Sequence, residues 1–305
     1  EAFSASGYFD ITHGADSYED VTRYIDSGQA QVGIIFPPDF ARQLHRGAPA
    51  AVQVIVDASD SMVANQAIAI ANSIGLLKSQ QVLFQKTRVT SPPYDIRVRP
   101  WYNPDGITAY YMVPAILGII VTMTMVIITS VAIVREREQG TLEQLMVTPV
   151  KPLELMIGKI VPYIVLGYLQ ITVALLVAVL VFQVPIRGSL LQLYLLTLFF
   201  ITASLGLGLM ISNLAQTQMQ AFQMSFFVML PSILLSGFLF PRAAMPKIIF
   251  YISYLIPLTY YLDIIRGIVL KGIGFNYLIG QVTSLLVFSI VVLSISVLKF
   301  RKTVS

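Results

Sequence analysis

The chain has 305 residues, of which 56% are hydrophobic and only 12% are charged, and its mean hydropathy is +0.74. These values lie outside the range of soluble globular proteins and indicate an integral membrane protein. The net charge is +4, but the basic residues are dispersed, which argues against a nucleic-acid-binding surface. The sequence contains no cysteine, so disulfide bonds are excluded.

Residues 1–106 differ in character from the rest of the chain. They carry 11 acidic and 8 basic side chains, a net charge of −3, whereas the remainder carries 5 acidic and 12 basic side chains, a net charge of +7. Apolar periodicity and capping residues predict helices over residues 17–27, 39–46 and 60–86 and strands over residues 31–36 and 51–56. We therefore expect residues 1–106 to form a compact α/β domain with its own modest core.

The remainder, residues 107–305, contains four long runs without any Asp, Glu, Lys or Arg: residues 107–134, 160–186, 188–241 and 272–298. One membrane crossing needs about 20 apolar residues. The third run is long enough for two crossings and is divided by a polar stretch near residues 212–218, so the sequence predicts five spans. A further apolar run, residues 248–262, is short and interrupted by Pro257, which predicts a re-entrant or interfacial helix pair.

A short charged segment, residues 135–149, separates the first two predicted spans. Its charges must lie in water, because burying them in hydrocarbon would cost several kcal/mol per ion. Residues 138–146 form an amphipathic pattern in which Leu142, Leu145 and Met146 share one face, and Pro149 follows its end. Such a helix is suited to docking in a groove of a partner, or alternatively to lying at the lipid interface.

The same segment resembles a known family. Glu138-Gln-Gly-Thr-Leu-Glu-Gln-Leu145, followed by Thr148-Pro149, is similar to the E-x-G-T-L-E-x-L…T-P signature of type-2 ABC exporter permeases of the drug-efflux-like branch. Residues 236–246 resemble the family's S-G-F-x-F-P…M-P segment, and residues 257–272 resemble its P-x-T-Y…R-G-x-x-L-K-G stretch. These matches occur in the family's order. The family also has an additional N-terminal span, which we expect to precede residue 1.

The resemblance implies roles for two groups of residues. Residues 138–147 would form the cytoplasmic coupling helix that docks on an ATPase subunit, where Gly140 would allow a close approach or a bend; the residues concerned are Glu138, Gly140, Thr141, Leu142, Glu143, Leu145 and Met146. The turn after the fourth visible span would form the outer gate and lead into the re-entrant pair; its residues are Ser236, Gly237, Phe240, Pro241 and Pro246.

Two polar stripes within the spans are candidates for lining a transport path. Thr122, Met125 and Thr129 recur at helical spacing on the first visible span, and Gln216, Gln220 and Gln223 recur at the start of the fourth. Such side chains should face protein or water. Hydrogen bonding between packed helices, or at a dimer interface, is the favoured alternative. Neither stripe contains a carboxylate, which disfavours a proton relay and is compatible with a small amphiphilic cargo.

Other chemistry is sparse in the sequence. It contains no phosphate-binding G-x-x-x-x-G-K-[ST] motif, no Ser/His/Asp set and no metal-ligand spacing, and His13 and His45 are isolated. We therefore expect a permease without enzymatic activity, with ATP and Mg²⁺ bound by partner ATPase subunits. Further expected partners are membrane lipid, a second permease subunit (a second copy or a paralogue) and a periplasmic adaptor.

Charge placement predicts the topology. Basic residues at 135–159 and 299–302 belong inside, which puts residues 1–106 outside a bacterial inner membrane and the C-terminus in the cytoplasm. The competing interpretation is a membrane-anchored sensor or scaffold whose outer domain binds a ligand or partner without transport.

Overall fold

The computed structural model describes residues 2–5, 8–46, 50–85, 94–140 and 152–302. The chain divides into two compact units, Glu1–Tyr111 and Met112–Ser305. The first unit contains helices α1 (Ala2–Ala5), α2 (Tyr18–Asp26), α3 (Phe40–Arg46) and α4 (Ser61–Gln85) and strands β1 (Val32–Ile35), β2 (Ala50–Asp57) and β3 (Tyr94–Trp101). The predicted helices and both predicted strands of this unit are confirmed within a few residues at each end.

The three strands form one sheet in the order β1-β2-β3. Strand β1 pairs antiparallel with β2, and β3 pairs parallel with it, so that Val54 lies between Ile34 and Val98. A parallel neighbour requires a long crossover connection, which α4 supplies. Valines of β2 pack against α4 to make the core of this unit; they are Val52, Val54 and Val56, facing Ala64, Ala67, Ala71 and Ile74.

Strand β3 was not predicted. The signal was present, since Ile96 and Val98 alternate with Asp95, Arg97 and Arg99, which is the period of a half-buried strand. Trp101 is the last residue of this strand and pairs with Asp57.

The second unit is helical. It begins within α5 (Thr108–Glu138) and continues through α6 (Pro152–Leu180), α7 (Leu190–Ser212), α8 (Gln218–Leu235), α9 (Lys247–Ser253), α10 (Pro257–Arg266) and α11 (Ile279–Lys302). Within the described part of the chain, five helices are long and apolar enough to cross a membrane, namely α5, α6, α7, α8 and α11. These five helices coincide with the five predicted spans; a crossing by the bent helix pair described next would make six.

The short helices α9 and α10 form the bent pair that the interrupted apolar run predicts. A π-helical turn, Gly267–Lys271, extends α10, and the two arms of the pair meet at an angle of 81°. Pro257 is the first residue of α10, where its missing N–H costs nothing because that donor has no partner inside the helix. The break therefore lies where the proline stands.

Helix α7 is the most deeply buried of the five long helices and contacts α6, α8, α10 and α11. Polar side chains join it to its neighbours. Ser289 of α11 donates to the Phe199 carbonyl (3.1 Å), Asn213 Nδ2 donates to the Ser296 carbonyl (3.1 Å), and Thr197 shares a hydrogen bond with Tyr261 of α10 (3.0 Å). In lipid, where the hydrophobic effect between helices is weak, such bonds and close packing hold a bundle together.

Candidate coupling site and transport path

The charged segment begins at the end of α5. Glu138 is the last residue of that helix, and Gly140 follows in a left-handed conformation with φ of +71°. The Gly140 N–H donates to the Arg137 carbonyl (3.1 Å), which closes the final turn. Glu138 and Gly140 thus end a long helix, whereas the sequence analysis placed them in a separate short one beginning at Glu138. Among the described residues, a Cβ added to Gly140 would meet nothing within 4 Å, and the positive φ is the conformation of a bend; a close approach to a partner stays a prediction.

Three consecutive side chains at this end of α5 each reach a different element. Glu136 accepts a hydrogen bond from Lys159 Nζ of α6, and Arg137 donates to the Ala215 carbonyl in the turn between α7 and α8. Glu138 accepts from both amide groups of Gln218, the first residue of α8: the backbone N–H lies 3.0 Å from Oε1, and the side-chain Nε2 donates to Oε2. We call the Glu138–Gln218 pair the latch.

The other coupling candidates, Thr141, Leu142, Glu143, Leu145 and Met146, lie outside the described residues. Their docking role remains a prediction. The sequence analysis missed Arg137, Lys159 and Gln218, because no local pattern reveals which distant element a charged side chain will reach.

The first polar stripe consists of Thr122, Met125 and Thr129. All three side chains are buried, and Met125 and Thr129 are each only 1% exposed. Thr122 donates to the Gly118 carbonyl of its own helix (2.9 Å). Thr129 packs against Gly208 of α7, where an added Cβ would come within 2.8 Å of the Thr129 Cβ. Thr129 therefore lies at a close helix crossing, but its buried hydroxyl has no hydrogen-bond partner among the described residues, so the hydrogen bonding between helices that the favoured alternative expects is not seen at this residue.

The second stripe is exposed, but it is not one helical stripe. Gln216 lies in the turn before α8, and its backbone N–H donates to Gln220 Oε1 (2.7 Å). Only Gln220 and Gln223 belong to α8. The predicted i, i+4, i+7 arrangement is therefore wrong at its first member, because Thr217 is the N-cap and the helix begins at Gln218.

A small cleft lies between α5 and α8. Its lining combines hydroxyl groups with methionine and valine side chains, from Thr122, Met123, Val126, Ser225, Val228, Met229 and Ser232. Ser225 also shares a buried hydrogen bond with Ser130 (2.8 Å). The sequence analysis identified only Thr122 of this set; the repeat of Ser225 and Ser232 seven residues apart on α8 is the signal that could have revealed the cleft.

At the other end of α8, the predicted irregular turn is present. Ser236 is buried, Gly237 has φ of +89°, and Phe240 is 57% exposed. Pro241 precedes a 3-10 turn and Pro246 precedes α9. The Gly237 carbonyl accepts a hydrogen bond from Arg266 Nη1 (3.4 Å). The turn is thus tied to the bent pair.

Arg242, which the sequence analysis did not single out, lies at the centre of this turn. Its guanidinium is 3.7 Å from an Asp263 carboxylate oxygen and lies over the rings of Phe250 (5.0 Å) and Tyr254 (4.7 Å). Contacts of this kind stabilise a cation that is partly removed from water. They fix the Gly237 turn against α9 and α10.

In the part of the chain that the structure describes, no group of three or more His, Asp or Glu side chains is placed to hold a metal ion.

Comparison with known proteins agrees with this architecture. Residues 1–298 match the family model described as ABC-2 family transporter protein. The chain is 32% identical over 301 residues to the probable multidrug ABC transporter permease YbhS of Escherichia coli, covering 98% of this chain and 80% of that protein. It is 33% identical over 288 residues to the probable multidrug ABC transporter permease YbhR of Escherichia coli, covering 94% and 78%.

A third relative, the inner membrane transport permease YhhJ of Escherichia coli, is 28% identical over 284 residues, covering 92% of this chain and 75% of that protein. The family match spans both structural units and all five candidate spans. The chain belongs to the ABC-2 transporter family and is an integral-membrane permease subunit of an ABC transporter.

Proposed function

We propose that this permease is one half of the membrane part of an ATP-driven exporter and moves a small amphiphilic cargo outward across a bacterial inner membrane. The observation that carries the proposal is the charged end of α5: Glu138 and Gly140 open the coupling signature, and the preceding side chains are bonded to α6 and to the α7–α8 turn. A segment held in this way can pass a displacement to several helices together.

In this account, residues 135–159 and the C-terminus face the cytoplasm and residues 1–106 face outward. Five spans separate these two sides, which is the odd number that such an arrangement requires. The Gly237 turn and the bent pair α9–α10 then lie at the outer side, where α9–α10 dip into the membrane as a re-entrant pair and gate the path.

ATP binding and hydrolysis belong to partner subunits. The sequence has no phosphate-binding loop, and the apolar face of Leu142, Leu145 and Met146 supplies the docking surface for one ATPase subunit on each permease. A second permease, identical or paralogous, completes the path between the two halves. The outer unit suits recruitment of a periplasmic adaptor.

The uncharged lining of the cleft is compatible with the proposed cargo class. Hydroxyl groups of Thr122, Ser225 and Ser232 alternate with the thioethers of Met123 and Met229, with no charged side chain in the lining. Methionine adapts to irregular apolar shapes, and hydroxyls supply a few hydrogen bonds. The names of YbhS and YbhR, both probable multidrug permeases, point to the same class.

The experiment measures the direction of transport. Inside-out membrane vesicles that contain the assembled transporter are given ATP and ethidium, a fluorescent amphiphilic cation. Outward transport predicts ATP-dependent accumulation of ethidium inside these vesicles and a loss of that accumulation in Leu142→Asp. Accumulation only in right-side-out vesicles loaded with ATP would identify an importer, and a wild-type permease that purifies without any ATPase subunit would favour the sensor or scaffold.

A further inference from the structure

We infer that Glu138 acts inside the permease, as a positioning residue bonded to Gln218, and that this latch carries the displacement of the coupling segment to α8. The inference rests on the proposed function, because it assumes that an ATPase moves the segment after Gly140. It differs from the role that the family signature implies for Glu138, which is contact with the ATPase.

The Glu138 carboxylate is engaged by two donors of its own subunit. Both oxygens of Glu138 accept hydrogen bonds from Gln218, one from the backbone N–H at 3.0 Å and one from the side-chain amide. Gln218 is the first residue of α8, so its backbone N–H has no partner within the helix and points toward an anion. A carboxylate engaged twice at a helix N-terminus is already committed to its own subunit.

Helices α5 and α8 run antiparallel, and their polar contacts follow one another along the pair. The Glu138–Gln218 contact lies at one end of this helix pair. The next polar contact between the two helices is the Ser130–Ser225 hydrogen bond at 2.8 Å, and the cleft lined by Met123 and Ser232 follows it. From one contact to the next, the residue number falls by about seven or eight on α5 and rises by seven on α8. The latch, the serine pair and the cleft are therefore successive points on one helix pair.

Apolar side chains pack next to the latch. Val134 of α5, Ala215 of the α7–α8 turn and Ala221 of α8 form a fully buried apolar cluster, with Val131 and Met224 packed against it. The Arg137 guanidinium donates to the Ala215 carbonyl at the same place. The ends of α5 and α8 are thus joined by apolar contacts as well as by the latch.

The consequence is a specific path for the coupling movement. A push on the segment after Gly140 reaches Glu138, then Gln218, and so shifts the start of α8 relative to α5. Because both helices line the cleft, the shift changes the width of the cleft between them. Gln218 is the residue of α8 to which Glu138 passes the displacement. No local sequence pattern indicates this role of Gln218.

The experiment uses the complete transporter, permease with its ATPase subunits, reconstituted in liposomes. Three substitutions at one position separate the possibilities: Gln218→Lys retains a donor toward Glu138, Gln218→Ala removes the side-chain donor, and Gln218→Glu places a second carboxylate against the first. Each is made alone and together with Glu138→Ala. The matched control is Gln139→Ala, an exposed glutamine next to Glu138 at the x position of the E-x-G signature.

Three quantities are measured: the ATPase subunits retained per permease, the rate of ATP hydrolysis, and ethidium transported per ATP hydrolysed. We expect all Gln218 variants to retain the ATPase subunits. Transport per ATP should be close to wild type in Gln218→Lys and lowered about two- to fivefold in Gln218→Ala, the range that exposed charged contacts produce. Gln218→Glu should be lowest, and the three variants should become equal when combined with Glu138→Ala, because coupled residues are not additive.

Two results would overturn the inference. Wild-type transport per ATP in Gln218→Glu would show that the latch does not transmit the coupling displacement to α8. Loss of the ATPase subunits in Glu138→Ala, with full retention in all Gln218 variants, would show that Glu138 contacts the ATPase directly. Failure of the proposed function is a separate outcome: Leu142→Asp would then keep both its ATPase subunits and its transport.

Discussion

Gly208 of α7 lies so close to Thr129 of α5 that only a hydrogen atom fits between them. A Cβ built on Gly208 would lie 2.8 Å from the Thr129 Cβ and 2.9 Å from the Val126 carbonyl oxygen. The second of these neighbours is backbone, which a change of rotamer cannot move. The glycine therefore sets how closely α5 can approach the buried helix of the bundle, as small residues do at helix crossings in membranes.

We expect Gly208→Ala to force α5 and α7 apart and to destabilise the membrane unit by about 1–3 kcal/mol, the usual cost of overpacking. Thermal inactivation of the detergent-purified protein, followed by size-exclusion chromatography, measures the change. The matched control is Gly280→Ala in α11, where an added Cβ meets nothing within 4 Å. Equal thermal stability of the two variants would contradict the close approach.

A second prediction concerns the bend after α5. Gly140→Ala should impair coupling because a side chain is forced into the left-handed region, at a cost of roughly 1–2 kcal/mol. Gly140→Asn should be milder, since asparagine visits that region more readily. ATP-driven transport by the reconstituted complex is the measurement. If both variants were impaired equally, the loss would come from the presence of a side chain and not from the backbone conformation.

The third prediction tests topology. The chain has no cysteine, so Phe240→Cys and Gln220→Cys each introduce a single thiol. Both positions are exposed, and they lie at opposite ends of α8. In intact spheroplasts, a membrane-impermeant maleimide should label position 240, and it should label position 220 only after permeabilisation. The reverse labelling pattern would show that every span has the orientation opposite to the one proposed.

The fourth prediction is that the first unit folds alone. A soluble fragment ending at Val98 would remove residues 99–101, which pair with Ile55, Val56 and Asp57. A fragment of residues 1–107 keeps them and keeps both hydrogen bonds between Asn103 and Ile107 (2.9 and 3.0 Å). We expect the longer fragment to show cooperative melting by circular dichroism at a higher temperature than the shorter one. If the longer fragment remained unfolded, the first unit would depend on the membrane helices.

The sequence was most informative where a local pattern determines the structure. Long uncharged runs predict the five spans, and Pro257 predicts the break between α9 and α10. It was least informative where residues far apart in the chain meet. Nothing near Glu138 reveals Gln218, 80 residues away, and nothing near Arg242 reveals Asp263, Phe250 and Tyr254 together.

The second polar stripe shows the same limit at short range. Gln216, Gln220 and Gln223 have helical spacing, but Thr217 caps α8 and accepts a hydrogen bond from the Gln220 N–H at 3.2 Å. A capping threonine outweighs a polar periodicity, because it satisfies a donor that the helix itself leaves free. Strand β3 was missed for a different reason, since its alternating pattern was present but lay beside aromatic residues that favour a membrane interface.

The central claim is that this permease takes its energy from an ATPase docked beside the charged end of α5. The most direct test is to purify tagged permease from membranes that contain the whole transporter and to measure vanadate-sensitive ATP hydrolysis per permease. We expect the wild-type protein and Gln139→Ala to retain ATPase subunits and activity. Leu142→Asp should insert normally and lose most of both, because a carboxylate replaces the centre of the apolar docking face. Equal ATPase activity in all three preparations, or none in the wild-type protein, would contradict the account.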